Sequence, residues 1–316
     1  MINNSLNLPA IKKSNSSISE HRQEANKIPS LDLKKNLEQK KIMQRKDENL
    51  LNQFQDKRKG SLDLVLMGDL TGSMRSYHSL LKKEFTTLSH ELIKFIPDLQ
   101  IGIIFYLDHG SGDPYITKVH KISSDIQSIE SFISKTPTGS GGDEKEAVED
   151  ALFDALQLNW RPKVNRSIVL FGDASGKEPS ECPHQHSYFQ ITKELYEKDV
   201  TINSVYCRPG YSIQKLQSLE SVEVGNFTKQ FRSPNHPNFF SWLANVTGGM
   251  IIGIEEVNDL IEIIKASAAK DAGVLEEYES SMKTKTTNSR KLELIEISKN
   301  ANVRKNLANK KTLRLE

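Results

Sequence analysis

The stretch Asp69-Leu-Thr-Gly-Ser-Met74 places a carboxylate and two hydroxyls at alternate positions, Asp69, Thr71 and Ser73. Alternate residues of an extended turn face one side, so the three offer oxygen ligands together, as hard divalent cations such as Mg²⁺ require. Two more carboxylates occupy comparable places. Asp143 closes the Gly-rich loop Thr136-Pro-Thr-Gly-Ser-Gly-Gly-Asp143, and Asp173 follows the apolar run 166–171. On its own, Asp69–Met74 could equally be a strand end with an ordinary Thr/Ser helix cap. A second cluster, Cys182-Pro-His184-Gln-His186, crowds a thiol and two imidazoles. It is read first as a solvated loop and second as a Zn²⁺ candidate with three visible ligands. Asp108 and His109 could line the metal site, bind an acidic partner group or tighten a loop.

These residues need elements that bring them together. From Ser61 onward, strand-like and helix-like segments alternate, which predicts an α/β fold with a doubly wound, mostly parallel sheet and helices on both faces. Leu62–Met67 is a buried strand delivering Asp69, and Leu80, Leu81, Phe85, Leu88 and Leu92 mark a helix over Ser73–Phe95 that Pro97 ends. Further strands are expected at 100–106, 166–171, 200–207 and 250–254, with an edge strand at 115–122. Helices are expected at 125–134, 144–158, 187–198, 213–220, 239–246 and 258–269, and a loop at 222–238. In an open parallel sheet, ligands bind beyond the carboxyl ends of the strands, where Asp69, Asp143 and Asp173 can converge.

Charge divides the chain. The net charge of +2 conceals +6 on residues 1–60, +7 on 281–316 and −11 between them. Only 36% of residues are hydrophobic and the mean hydropathy is −0.52, so part of the chain is expected outside any core. The expected organisation is a disordered arm at 1–28, a polar helical segment at 29–60, an α/β domain at 61–270 and a basic helical or disordered tail at 271–316. Two cysteines give no disulfide framework, which suits a reducing compartment or simple use in the core. The first 19 residues lack the apolar core of an ordinary secretory signal, and no run is long enough to span a membrane. The expected location is therefore cytoplasmic, or outside the cell by export without such a signal. Asn, Lys and Ile richness points to a bacterial source.

Asp69-x-Thr71-x-Ser73, the Gly-rich loop and a later strand ending in Asp173 resemble the von Willebrand factor A domain and its metal-ion-dependent adhesion site (MIDAS). The resemblance covers roughly residues 61–270. It is nearest to the A domains of von Willebrand A/alpha-kinase proteins and hemicentin. Those domains share Asp-x-Thr-Gly-Ser-Met, a Tyr-x-Asp-His (here Tyr106–His109) and a Gly-Gly-Asp-x-x-Glu-Ala-Val (here Gly141–Val148). The resemblance implies a Rossmann-like fold and metal contacts from Asp69, Ser73 and Thr71, with Asp173 direct or behind a water. Where the wider family supplies a Thr from its second loop, this chain has Asp143. Alternatively, Thr138 or Ser140 fills that place and Asp143 caps the following helix. Three carboxylates around Mg²⁺ would leave a formal charge of −1, favouring metal retention over capture of an acidic ligand.

The expected function is a metal-dependent protein-binding module, an intracellular adaptor or scaffold that is not an enzyme. It would use Mg²⁺, or Mn²⁺ or Ca²⁺ in its place. A protein partner would dock on the metal-site face, with Asp108, His109, Thr138 and Ser140 on the rim. The chain has no phosphate-binding Gly-x-x-x-x-Gly-Lys loop, no nucleophile elbow and no kinase signature. A Mg²⁺ phosphohydrolase would need a general-acid Asp two residues after Asp69, where Thr71 stands. An adaptor whose basic arms dock nucleic acid or an anionic membrane is the third reading.

Overall fold

The structure, a computed structural model, describes residues 58–285 apart from Ser111, 213–214, 217, 220–221, 229–234 and 254–256. The expected arm at 1–28, most of the helical segment at 29–60 and the tail from 286 lie outside the described residues, as does much of the helix expected at 213–220.

Apolar runs that end in Asp, Tyr or Gly form five of the six strands of the sheet, and the polar segment Thr117–Ser123 forms one edge. Its strands are β1 Ser61–Asp69, β2 Asp98–Tyr106, β3 Thr117–Ser123, β4 Asn165–Gly172, β5 Val200–Tyr206 and β6 Ile251–Gly253. They lie in the order β3-β2-β1-β4-β5-β6, and every pairing is parallel except that of β2 with the edge strand β3. The strand order reverses between β1 and β4, which opens a crevice at their carboxyl ends.

Seven helices are described: α1 Arg75–Phe95, α2 Ile126–Lys135, α3 Val148–Gln157, α4 Tyr188–Glu197, α5 His236–Thr247, α6 Val257–Asp271 and α7 Leu275–Lys285. None is long and apolar enough to cross a membrane. Alternate residues of β1 feed two cores. Leu62, Leu64 and Leu66 join Leu81, Phe85, Leu88 and Leu92 of α1 and residues of α2, α6 and α7. Val65 and Met67 join Val148, Ala151, Leu152 and Ala155 of α3 with residues of α4 and α5. Phe85 stacks on Phe105 at 5.8 Å and meets Phe171 at 5.3 Å, so the first core grips three adjacent strands. Truncating such a ring to Ala costs about 3–5 kcal/mol.

Asn235 caps α5 and Pro237 sits in its first turn, so this helix begins three residues before the apolar run that predicts it. At the far end of the sheet, Asp63 is fully buried and accepts from Arg161 N at 2.7 Å and Nε at 2.6 Å. Arg161 also reaches Asp98 at 2.5 Å, tying β1 to β2 away from the crevice.

Candidate functional site

The crevice is built from three loops, the turn after β1, the Gly-rich loop at 136–143 and the turn after β4 that begins with Asp173. The first leaves β1 and turns through a short 3₁₀ helix, Gly72–Met74, into α1. Asp69 Oδ1 accepts from Thr71 N at 2.8 Å and Thr71 Oγ1 at 2.6 Å. Thr71 Oγ1 lies 3.3 Å from Ser73 Oγ, and Ser73 Oγ donates to Asp173 Oδ1 at 2.8 Å. Asp69, Thr71, Ser73 and Asp173 thus form one continuous polar chain between the ends of β1 and β4. His78 Nε2, at 2.7 Å from Thr71 O, fixes the same turn from α1.

The Gly-rich second loop docks on the first through backbone bonds. Gly139 N donates to Leu70 O and Gly72 N to Ser140 O, both at 3.0 Å. Only glycine fits at 72, because a Cβ there would stand 2.5 Å from Ser140 O. Asp113 holds the loop from outside, accepting from Ser140 N at 2.7 Å and Gly141 N at 3.0 Å. Thr138 and Ser140 are exposed on this rim.

Asp108 is buried and fully engaged by the protein. Its Oδ1 accepts from His109 N at 2.7 Å and pairs with Lys177 Nζ at 2.9 Å, and its Oδ2 accepts from Gly142 N at 3.0 Å and Asp143 N at 3.3 Å. Asp143 is exposed, with both carboxylate oxygens 2.8 Å from Lys177 Nζ and Oδ1 accepting from Lys145 N at 2.8 Å. Burial would raise the Asp143 pKa, but the Lys177 bond and the Lys145 amide hold it below the ordinary value. Burial would lower the Lys177 pKa, but Asp143 and Asp108 carry it above normal.

The residue that spacing did not single out is Glu146. A helix was expected from Glu144, but α3 begins at Val148 because the preceding backbone bonds elsewhere. Glu146 N donates to Ser175 O at 3.1 Å and Ala147 N to Leu107 O at 3.0 Å. That detour turns the buried Glu146 carboxylate beside Thr71, where a Cβ on Gly141 would stand 2.9 Å from Glu146 Oε1 and 3.4 Å from Thr71 Cβ.

Four acidic groups therefore share one field. Burial, opposed by the Thr71 bonds and reinforced by Asp173 and Asp108, pushes the Asp69 carboxyl up to about 7. Burial, with Asp69, Asp108 and Asp173 beside it, pushes Glu146 to about 9. Asp69 Oδ2 and Glu146 Oε2 are buried with no hydrogen-bond partner among the described residues. The cations at the edge, Lys177 on Asp108 and Arg208 Nε at 3.4 Å from Asp173 Oδ2, do not reach these two oxygens.

Carboxylates after β1 and β4, hydroxyls at alternate positions after β1 and the strand order β3-β2-β1-β4-β5-β6 now stand together. The chain resembles a von Willebrand factor A domain. No family model matches it. Over 138 residues, 43% of this chain and 22% of the relative, it is 27% identical to the alpha-protein kinase vwkA of Dictyostelium discoideum. Among solved structures, BatB from Bacteroides thetaiotaomicron is similar at 14% identity and a TM-score of 0.44, over 67% of this chain and 100% of that one. Proximal thread matrix protein 1 from the mussel byssus, solved with a zinc-occupied MIDAS motif, is similar at 15% identity and a TM-score of 0.45. That likeness covers 68% of this chain and 46% of the mussel chain.

Around this A-domain-like crevice, the other sequence candidates fall into a neighbouring cluster. His109 Nε2 lies 3.1 Å from Glu149 Oε1 and 2.7 Å from Asp150 Oδ2. Cys182, His184 and His186 gather on Asp150 as well.

Proposed function

We propose that the crevice binds a divalent cation, Mg²⁺ in the first instance, and that the chain is a metal-dependent protein-binding module. The observation that carries this reading is the pair of buried carboxylate oxygens, Asp69 Oδ2 and Glu146 Oε2, that no donor among the described residues satisfies. A buried carboxylate without a donor is costly, and a cation offsets that cost. The donors there are all oxygen, which suits Mg²⁺, Mn²⁺ or Ca²⁺.

In this reading Asp69, Ser73, Asp173 and Glu146 hold the ion, and Thr71 orients Asp69. Asp143 serves as the anchor of Lys177 instead of a ligand, and Asp108 braces the Gly-rich loop. When bound, the ion supplies a Lewis-acidic position for an oxygen of the partner. Three carboxylates leave the ion with a net −1, so these residues retain the metal firmly and draw an acidic partner group only weakly. The exposed Thr138 and Ser140 form the rim on which the partner docks, and an adaptor or scaffold role follows.

Affinity capture with immobilised chain, in Mg²⁺ and in chelator, tests this reading. The expected result is a partner recovered in Mg²⁺ and lost both in chelator and with Asp69→Ala. Equal recovery in all three conditions overturns it.

A further inference from the structure

We propose that Asp150, Cys182, His184 and His186 form a Zn²⁺ site that staples the loop after β4 to the first turn of α3. The sequence shows three of these ligands within five residues, and the fold adds the fourth from 32 residues upstream of Cys182. Asp150 is 5% exposed. Its Oδ1 lies 2.9 Å from His184 Nδ1 and 2.6 Å from His186 Nδ1, and its Oδ2 lies 3.9 Å from Cys182 Sγ. All four donor atoms stand within 4.8 Å of one another. A tetrahedral Zn²⁺ with bonds of about 2.0–2.3 Å separates its ligands by roughly 3.3–3.8 Å, so a small adjustment closes the shell.

The surroundings are built to hold that arrangement. Gln185 takes a positive φ of 57°, and its N donates to Cys182 O at 2.9 Å. This tight turn lets His184 and His186 present the same ring atom, Nδ1, to one point. His186 stacks on Phe153 at 4.1 Å, which fixes its ring. On the buried side, His109 Nε2 meets Asp150 Oδ2 and Glu149 Oε1, and Glu149 Oε2 accepts from Lys177 N at 2.8 Å. His109 and Glu149 are positioning residues, since they orient Asp150 through His109.

A sulfur, two imidazoles and a carboxylate select Zn²⁺ over Mg²⁺, the reverse of the all-oxygen crevice. The two sites are neighbours, because Asp108 braces the Gly-rich loop and the next residue, His109, braces Asp150. A Zn²⁺ here would fix the Ser175–Lys177 segment, whose Ser175 carbonyl accepts from Glu146 N and whose Lys177 ammonium pairs with Asp143. Even so, its occupancy does not depend on the crevice holding a metal.

The test is metal analysis and Co²⁺ loading of the full chain. The expected result is one tightly held Zn²⁺ per chain and, with Co²⁺, a thiolate-to-cobalt charge-transfer band in the near ultraviolet. Cys182→Ser should abolish that band, and His186→Ala should lower Zn²⁺ affinity about tenfold or more. His184→Ala should weaken it to the same degree; its ring is half exposed, so this variant keeps the test open if Cys182→Ser fails to fold. Asp69→Ala should change neither readout, which separates this site from the crevice. Absence of the band in the unmodified chain, or an unchanged Zn²⁺ affinity in His184→Ala and His186→Ala, overturns the site and leaves Asp150 a hydrogen-bond hub.

Discussion

Ser73 Oγ donates to Asp173 Oδ1 at 2.8 Å, joining residues one hundred positions apart across the crevice between β1 and β4. The bond exists because two parallel strands end side by side and each delivers its polar residue at the same edge. It aligns the Asp173 carboxylate with the turn that carries Asp69. Replacing Ser73 with Ala removes both a ligand and this alignment, so Mg²⁺ affinity should fall by about tenfold or more, as for other residues that orient metal ligands. Ser73 is exposed, so its loss should shift the metal-free melting temperature little. Calorimetric titration with Mg²⁺ checks both points, and unchanged affinity would remove Ser73 from the site.

Proton binding should control stability when no metal is present. Asp69 and Glu146 titrate at about 7 and about 9 in the fold, above their ordinary values of 3.8 and 4.5. At these two groups the folded chain therefore binds more protons than the unfolded chain between those limits, so their contribution to stability is greatest below about pH 4 and is lost as pH rises toward 9. Saturating Mg²⁺ should oppose this loss, because the ligands must be deprotonated to bind it. Urea melts in chelator and in Mg²⁺ from about pH 5 to pH 9 provide the measurement. Equal profiles in the two conditions would contradict the expectation.

Glu146→Gln separates cost from use. Each unit by which the carboxyl stands above its ordinary pKa represents about 1.4 kcal/mol of disfavoured charge. The neutral variant should therefore be more stable than the parent in chelator at about pH 8, while binding Mg²⁺ more weakly. A variant that loses stability in chelator and keeps full metal affinity would assign Glu146 to packing alone.

Arg161→Ala probes the opposite end of the sheet. It removes the guanidinium from the buried Asp63 carboxylate and leaves only the backbone N–H of residue 161 as donor, and it should cost about 3–5 kcal/mol, the penalty for breaking a buried ion pair. Mg²⁺ affinity of the folded fraction should stay the same. A drop in affinity comparable to that of Ser73→Ala would mean that the strands transmit strain to the crevice.

The parallel sheet and the first and third loops were legible because apolar runs ending in Asp are local signals. Asp69 and Asp173 needed only strand periodicity and the rule that ligands gather beyond the carboxyl ends. Glu146 was hidden because residues 144–147 fit a helix by pattern, and only their bonds to Leu107 and Ser175 delay α3 to Val148. The signal that could have found it is the Gly-Gly-Asp-x-x-Glu-Ala-Val segment, whose Glu precedes the apolar pair Ala147 and Val148. Lys177 on Asp143 and Asp150 on His184 are 34 residues apart each, beyond any local pattern. Cys182, His184 and His186 were visible as types, but the buried carboxylate that unites them was not.

The proposed cation among Asp69, Glu146 and Asp173 is tested most directly by thermal melting of the parent chain and Asp69→Ala in chelator and in Mg²⁺. At an ion concentration about 100 times Kd, binding should stabilise the parent by about 2.7 kcal/mol. For a domain of this size that raises the melting temperature by roughly 5–10 °C. Asp69→Ala should show no such rise. Parent and variant melting at temperatures that Mg²⁺ does not move would contradict a cation at this site.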